Sequence, residues 1–247
     1  MNNDLVKELF EALEPYLQKL NLNGFEGILL VEASDPKMNA CVIGKRIEIS
    51  AAYYSRMEAL IDAGNMTACS YLANTVHHEF CHIDVDNRIP YHMQHLNDAE
   101  VFPKGIAMRV IREFLACSLS HETMSIDLLK QQISTGIQAI NELSSKRDIR
   151  SYCDIICDLA YLIGDCIHKP CGYFHIMCSC IEDEVVKELA LDLESALSNL
   201  QKRLPIEKDS DIEQVCQIIR TSWNLFSKPQ TNGRGGYWKL TRKGIVS

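Results

Sequence analysis

The segment MTACSYLANTVHHEFCHIDV, residues 66–85, runs without glycine or proline, and its apolar Leu72, Val76 and Phe80 fall four residues apart. A period near 3.6 makes this a helix with one face to bury, so the rest of the chain must build a core against it. The same helix carries His78, Glu79 and His82 in the pattern His-Glu-x-x-His. Residues four apart share a face, so the two imidazoles project side by side, at the spacing that holds one zinc ion. Glu79, rotated by about 100° around the helix, reaches a water beside such an ion without ligating it. The plainer alternative is a half-exposed polar face whose histidines bond to their neighbours.

A catalytic zinc site ordinarily has three protein ligands and one open position. A third histidine six residues after the second is excluded, because that position is Arg88. His92 and His95 follow Pro90 in a loop-like stretch and fit no metal spacing. A carboxylate on a second helix is the other common solution, and MRVIREFLACSLSHE supplies Glu113 among Ile111, Phe114 and Leu115. A carboxylate in apolar surroundings needs a partner. That partner is either a metal ion or a base such as Arg109 or Arg112. Glu122, in what reads as a helix start, and Glu100, in a loop near Pro103, are weaker candidates.

Around these two helices the pattern is mixed at the start and helical afterwards. Leu5, Leu9, Leu13, Leu17 and Leu20 mark an amphipathic first helix ending around residues 21–24. FEGILLVEAS reads as a buried strand, and ACVIGKRIEIS as a hairpin or bulged strand split at Gly44-Lys45. A helix over 52–62 precedes the histidine helix. Helical spacing continues over 105–120, 122–143, 150–168, 174–202 and 210–226, before a basic, glycine-rich tail expected to be loosely attached. The expected fold class is α+β: a small N-terminal sheet packed on the histidine helix, followed by a mainly α-helical C-terminal half.

Composition narrows function by exclusion. A net charge of −8 argues against a general affinity for nucleic acid or anionic membranes. No run approaches the ~18 apolar residues of a membrane span, and the acidic first helix is unlike a signal peptide, so the expectation is a cytoplasmic protein. Eleven cysteines, many in apolar stretches such as CDIICDLAYLIGDC, suit reduced core thiols. Cys153, Cys157, Cys166, His168, Cys171, Cys178 and Cys180 lack the paired knuckles of a structural zinc site, and core packing is the preferred reading. NGRGGYWK lacks the strand-to-helix setting of a phosphate loop.

TVHHEFCHID followed by REFLACSLS resembles the zincin metallopeptidases of the gluzincin branch, in which a His-Glu-x-x-His helix precedes a helix bearing a glutamate ligand. Glu113-x-x-Ala116 is similar to the Glu-x-x-Ala of ImmA/IrrE-type peptidases, and MNACVIGKRIEIS resembles the strand leading into the active-site helix of HtpX-like peptidases. The resemblance covers residues 25 to 120. It implies a zincin-like core, placed over 1–120; periodicity and composition add a helical region over 121–227, which carries no such resemblance, and a flexible basic tail over 228–247. The resemblance further implies His78, His82 and Glu113 as Zn2+ ligands, Glu79 as general base, and a strand near Ile47 to Ile49 that lines the cleft and pairs with substrate. Phe80-Cys81 departs from the small residue many relatives carry before the second histidine, and Cys81 there suggests redox sensitivity. Tyr161, Tyr173 and His175 are the candidates for stabilising an oxyanion.

Three functional classes follow. The first is a zinc peptidase acting on a protein or peptide substrate, and the second a regulatory protein on a zincin scaffold that acts by binding. The third is a helical interaction protein with an accidental motif. An intact Glu79 favours the first over the second, since a silent scaffold has no chemical need of the base.

Overall fold

A computed structural model describes residues 3–35, 38–89, 102–169 and 172–228, together with the backbone of 239–241 and 244–246. Helix α1 (Asn3–Leu17) is followed by strands β1 (Gly27–Val31), β2 (Ala40–Ile43) and β3 (Arg46–Ser50), then helices α2 (Ala51–Asp62) and α3 (Met66–Arg88). The second half contains α4 (Lys104–Ser120), α5 (Ile126–Ser144), α6 (Ile149–Cys166), α7 (Tyr173–Ser179), α8 (Glu184–Gln201) and α9 (Glu213–Phe226). The fold is α+β, mostly helical, with its three-stranded sheet near the N-terminus. No helix among the described residues is long and apolar enough to cross a membrane.

β2 and β3 form the expected hairpin, with Ile43 paired to Arg46 and Ala40 to Ile49. The turn between them needs a positive φ, which Gly44 supplies at 64°. The sheet order is β1-β3-β2, with β1 parallel to β3. The expectation of a buried strand over FEGILLVEAS is therefore corrected. β1 is an edge strand, and Leu29 is 46% exposed. A short apolar run does not distinguish a buried strand from an edge, and the helices cover only the sheet face that carries Ile47 and Ile49.

Helix boundaries depart from the periodicity where side chains capture backbone donors. α1 stops at Leu17, and Asn21 N donates to the buried Asp84 of α3, turning the chain onto that helix. α5 begins at Ile126 because Ser125 accepts from Leu128 N. Glu122 accordingly lies in the preceding turn, not at a helix start. The segment 174–202 is two helices: Asp183 accepts from Val185 N and Val186 N, restarting the helix, and is itself paired with Arg147. Within the expected tail, Lys239–Thr241 and Gly244–Val246 form a short antiparallel pair.

Two hydrophobic cores meet at α3. On the sheet side, Leu72, Val76, Phe80 and Ile83 pack with Leu9, Leu13, Ile47, Ile49 and Tyr53. On the other side, Val85 and Ile89 join a helical core built from α4, α5, α6, α8 and α9. α4 thus packs with the C-terminal helices while facing α3.

α4 and α6 are in tight contact at Gly164. A β-carbon there would lie 2.6 Å from Cys117 Cβ and 2.7 Å from the Phe114 carbonyl oxygen, so two helices carrying site residues would have to separate. Overpacking of this kind costs about 1–3 kcal/mol, against a helix-propensity gain of at most about 1 kcal/mol. Gly164→Ala is therefore expected to lower the denaturation midpoint in urea; an unchanged or raised midpoint would show that the crossing has slack.

Candidate metal centre

α3 and α4 bring the predicted residues together. His78 and His82 are 8% exposed, and their Nε2 atoms lie 3.6 and 3.2 Å from Glu113 Oε2. Among the described residues, His78, His82 and Glu113 are the one group that offers three potential metal ligands, with donor atoms all within 4.8 Å of one another. A tetrahedral zinc site with bonds of about 2.0–2.1 Å has ligand atoms roughly 3.3 Å apart. The two separations bracket that value and exceed an ordinary charge-assisted hydrogen bond. His78 Nε2 and Glu113 Oε2 are both buried without a hydrogen-bond partner. Buried polar atoms are seldom orphaned, and a cation between them would satisfy both.

Burial alone would raise the Glu113 carboxyl, but the facing His82 and His78 outweigh it and hold the group well below the usual carboxylate range. The alternative of an ion pair with Arg112 is overturned. Arg112 Nε and Nη2 donate to Asp86 Oδ1 and Oδ2 at 2.8 and 2.7 Å, a bidentate clamp joining α4 to α3 one residue before Glu113. A second clamp holds the turn after α4. Asn74 Nδ2 donates to Thr123 Oγ1, His77 Nδ1 lies 3.0 Å from the same oxygen, and Lys169 Nζ donates to the His121 and Met124 carbonyls. The register of Glu113 against the two histidines is thus fixed beside Glu113 itself and again just past the C-terminal end of α4.

Glu79 is 7% exposed beside the trio but outside it. Burial raises its carboxyl to about 7, with His78 lowering it and Glu113 raising it. A bound cation would pull this value back down. The Glu79 carboxyl lies within electrostatic reach of Cys41 on β2. That placement corrects the expectation for the substrate-pairing strand. Ile47 and Ile49 belong to β3, which is paired on both sides, so its backbone has no edge to offer. Among the described residues the sheet edge on the Glu79 side is β2.

Of the three oxyanion candidates, only Tyr161 is at the site. Its ring stacks on His78 at 5.3 Å between centroids, and its hydroxyl lies within electrostatic reach of Glu113. Burial and the Glu113 charge push that hydroxyl well above its ordinary range, so it stays protonated. Tyr161 thus packs against a ligand histidine beside Glu113. Tyr173 and His175 lie on α7, where Tyr173 packs against the helical core and His175 is exposed. Glu122 is on the surface, ion-paired with Lys19 at 2.6 Å. Glu100, His92, His95 and Cys171 lie outside the described residues.

Two residues that the sequence reading did not single out are also present. Cys117 Sγ lies 3.6 Å from His78 Nδ1, and Cys117 is within electrostatic reach of Asp165 of α6. Cys117 is fully buried, and burial and Asp165 push its thiol well above the ordinary range. Cys81, expected to be redox-sensitive, is also fully buried with its thiol pushed well up, chiefly by burial, and is a core thiol.

Asp165 is 3% exposed, and burial raises its carboxyl from 3.8 to about 8 despite Lys169 and the Cys117 thiol. A carboxyl raised on folding contributes stability below its unfolded pKa and loses it as pH climbs to the folded value. Asp165→Asn is therefore expected to gain stability relative to the wild type between pH 4 and 8, by on the order of a few kcal/mol at the alkaline end. Urea unfolding at pH 5 and pH 8.5 checks this; a difference independent of pH would refute it.

No protein-family model, curated protein or solved structure matches the chain. The site has to be read from its own geometry.

Proposed function

We propose that the protein is a zinc-dependent peptidase of zincin type, hydrolysing peptide bonds in a protein or peptide substrate. The observation that carries this reading is the convergence of His78, His82 and Glu113 across two clamped helices, with Glu79 buried beside them. Two imidazoles and one carboxylate form the three-residue donor set of catalytic rather than structural zinc. Zinc bound there would supply the Lewis acidity that lowers a water's pKa toward ~7 and polarises a carbonyl.

The chain's own groups do the rest. Glu79, one position along α3 from His78, takes the proton of the attacking water at its carboxylate and returns it to the leaving amine. Tyr161 stacks on His78 and helps to keep that ligand in place. β2, a sheet edge among the described residues, is where an extended substrate backbone would pair, within reach of Glu79.

The test is cleavage of a mixed-sequence, internally quenched peptide library by zinc-loaded protein, by chelator-stripped protein and by stripped protein given zinc back. Cleavage that disappears and returns with zinc is the expected result. A protein that holds zinc and cleaves nothing would instead favour a regulatory scaffold that acts by binding.

A further inference from the structure

Beside the metal centre, a cleft of about 350 Å³ opens between the start of α3, one face of α5 and one face of α6. Its helical walls follow from spacing: Asp158, Tyr161 and Asp165 on α6 recur at three and four residues, and on α5 Gln131 and Gln132 stand four and three residues before Thr135. Tyr71 of α3 closes one end. Tyr161 belongs to both sites, since the ring that lines this cleft also stacks on His78.

One group in the cleft has no structural explanation. Asp165 is 97% removed from solvent, and its Oδ1 has no hydrogen-bond partner. The nearby Lys169 ammonium is held by the His121 and Met124 carbonyls, and no Lys, Arg or His lines the cleft. Its polar lining is two carboxyl groups, two side-chain amides and a threonine, and its apolar walls are two tyrosine rings with Leu128 and Leu162. An ammonium or guanidinium entering there would meet acceptors at its tip and aromatic faces along its stem. It would also bring the counter-charge that burial denies Asp165.

We propose that this cleft is a specificity subsite that takes a long cationic side chain, lysine or arginine, from the substrate residue adjoining the scissile bond, with Asp165 at its floor. The identity of the ligand as a substrate side chain rests on the peptidase reading above; the preference of the cleft for a cation does not. The volume accommodates an arginine side chain with space for water. Asp165 acts by binding, not on the reacting atoms.

Two measurements on the full zinc-loaded chain separate the parts. In the first, N-acetyl-arginine amide and N-acetyl-lysine amide are titrated against N-acetyl-norleucine amide, following the chain by NMR. The cationic probes are expected to bind about tenfold or more tightly than norleucine, with shifts at Tyr71, Tyr161 and Gln132. Asp165→Asn is expected to abolish the difference. Gln132→Lys, on the face of α5, is expected to do the same by placing a competing ammonium in the cleft without touching the core. In the second, peptides differing only in Arg, Lys or norleucine at one position are assayed for cleavage. Preferential cleavage beside the basic residue, lost in both variants, supports the subsite. Cleavage indifferent to the basic residue, or favouring norleucine, overturns it while leaving the peptidase intact. If no peptide is cleaved, the peptidase reading fails, and the titration alone decides the cleft: equal affinity for all three probes, or cation binding unmoved by both variants, overturns it.

Discussion

Replacing His82 with alanine, or Glu113 with alanine, is expected to take the zinc content of the purified chain from one ion to none. Each replacement removes one of only three protein ligands, so each should weaken binding by more than the ~10–100-fold that loss of an outer-shell partner costs. The two variants are informative together because their residues come from different helices, α3 and α4. A histidine helix that bound metal adventitiously would respond to His82 and ignore Glu113. Thermal unfolding provides a second readout: zinc at about a thousand times its dissociation constant should stabilise the wild type by about 4 kcal/mol and neither variant. With eleven cysteines and eight histidines in the chain, stray binding has to be subtracted; the exposed Cys180 is the first suspect. Zinc retained in both variants, or absent from the wild type, would remove the basis of the functional reading.

The sequence exposed this site unevenly, for physical reasons. His78, Glu79 and His82 sit within one helical turn, where the 3.6 period alone fixes their geometry. Glu113 was legible because a lone carboxylate on an apolar helix signals a partner elsewhere. Asp165, in the apolar run LAYLIGDC, carries the same signal and was passed over. The criterion that found one buried acid would have found the other. Tyr161 was one of three equal candidates because its place depends on how α6 crosses α4, and that crossing is set by Gly164, which has no side chain to leave a pattern. The substrate-pairing strand was misplaced for a related reason. Periodicity reads ACVIGKRIEIS as a hairpin or a bulged strand, but does not show that β1 pairs with β3, which leaves β2 as the sheet edge near Glu79 among the described residues.

Glu79→Gln separates a base from a bystander. The amide matches the carboxyl in shape, and burial already disfavours charge at this position, so the variant is expected to fold with unchanged or slightly higher stability. Glu79 stands outside the ligand trio, so zinc content should stay at that of the wild type. An amide cannot take a proton from water, however, and loss of a positioned general base lowers kcat by about 10²–10⁴-fold with little change in KM. The discriminating combination is therefore intact metal, intact fold and lost turnover. If kcat survives the substitution within a fewfold, proton transfer runs through another group, and Glu79 would be read as one more buried carboxyl in the frame of α3. If zinc is lost along with turnover, Glu79 holds the ligand geometry instead of the proton, and the assignment of roles along His78-Glu79-x-x-His82 would have to be redrawn.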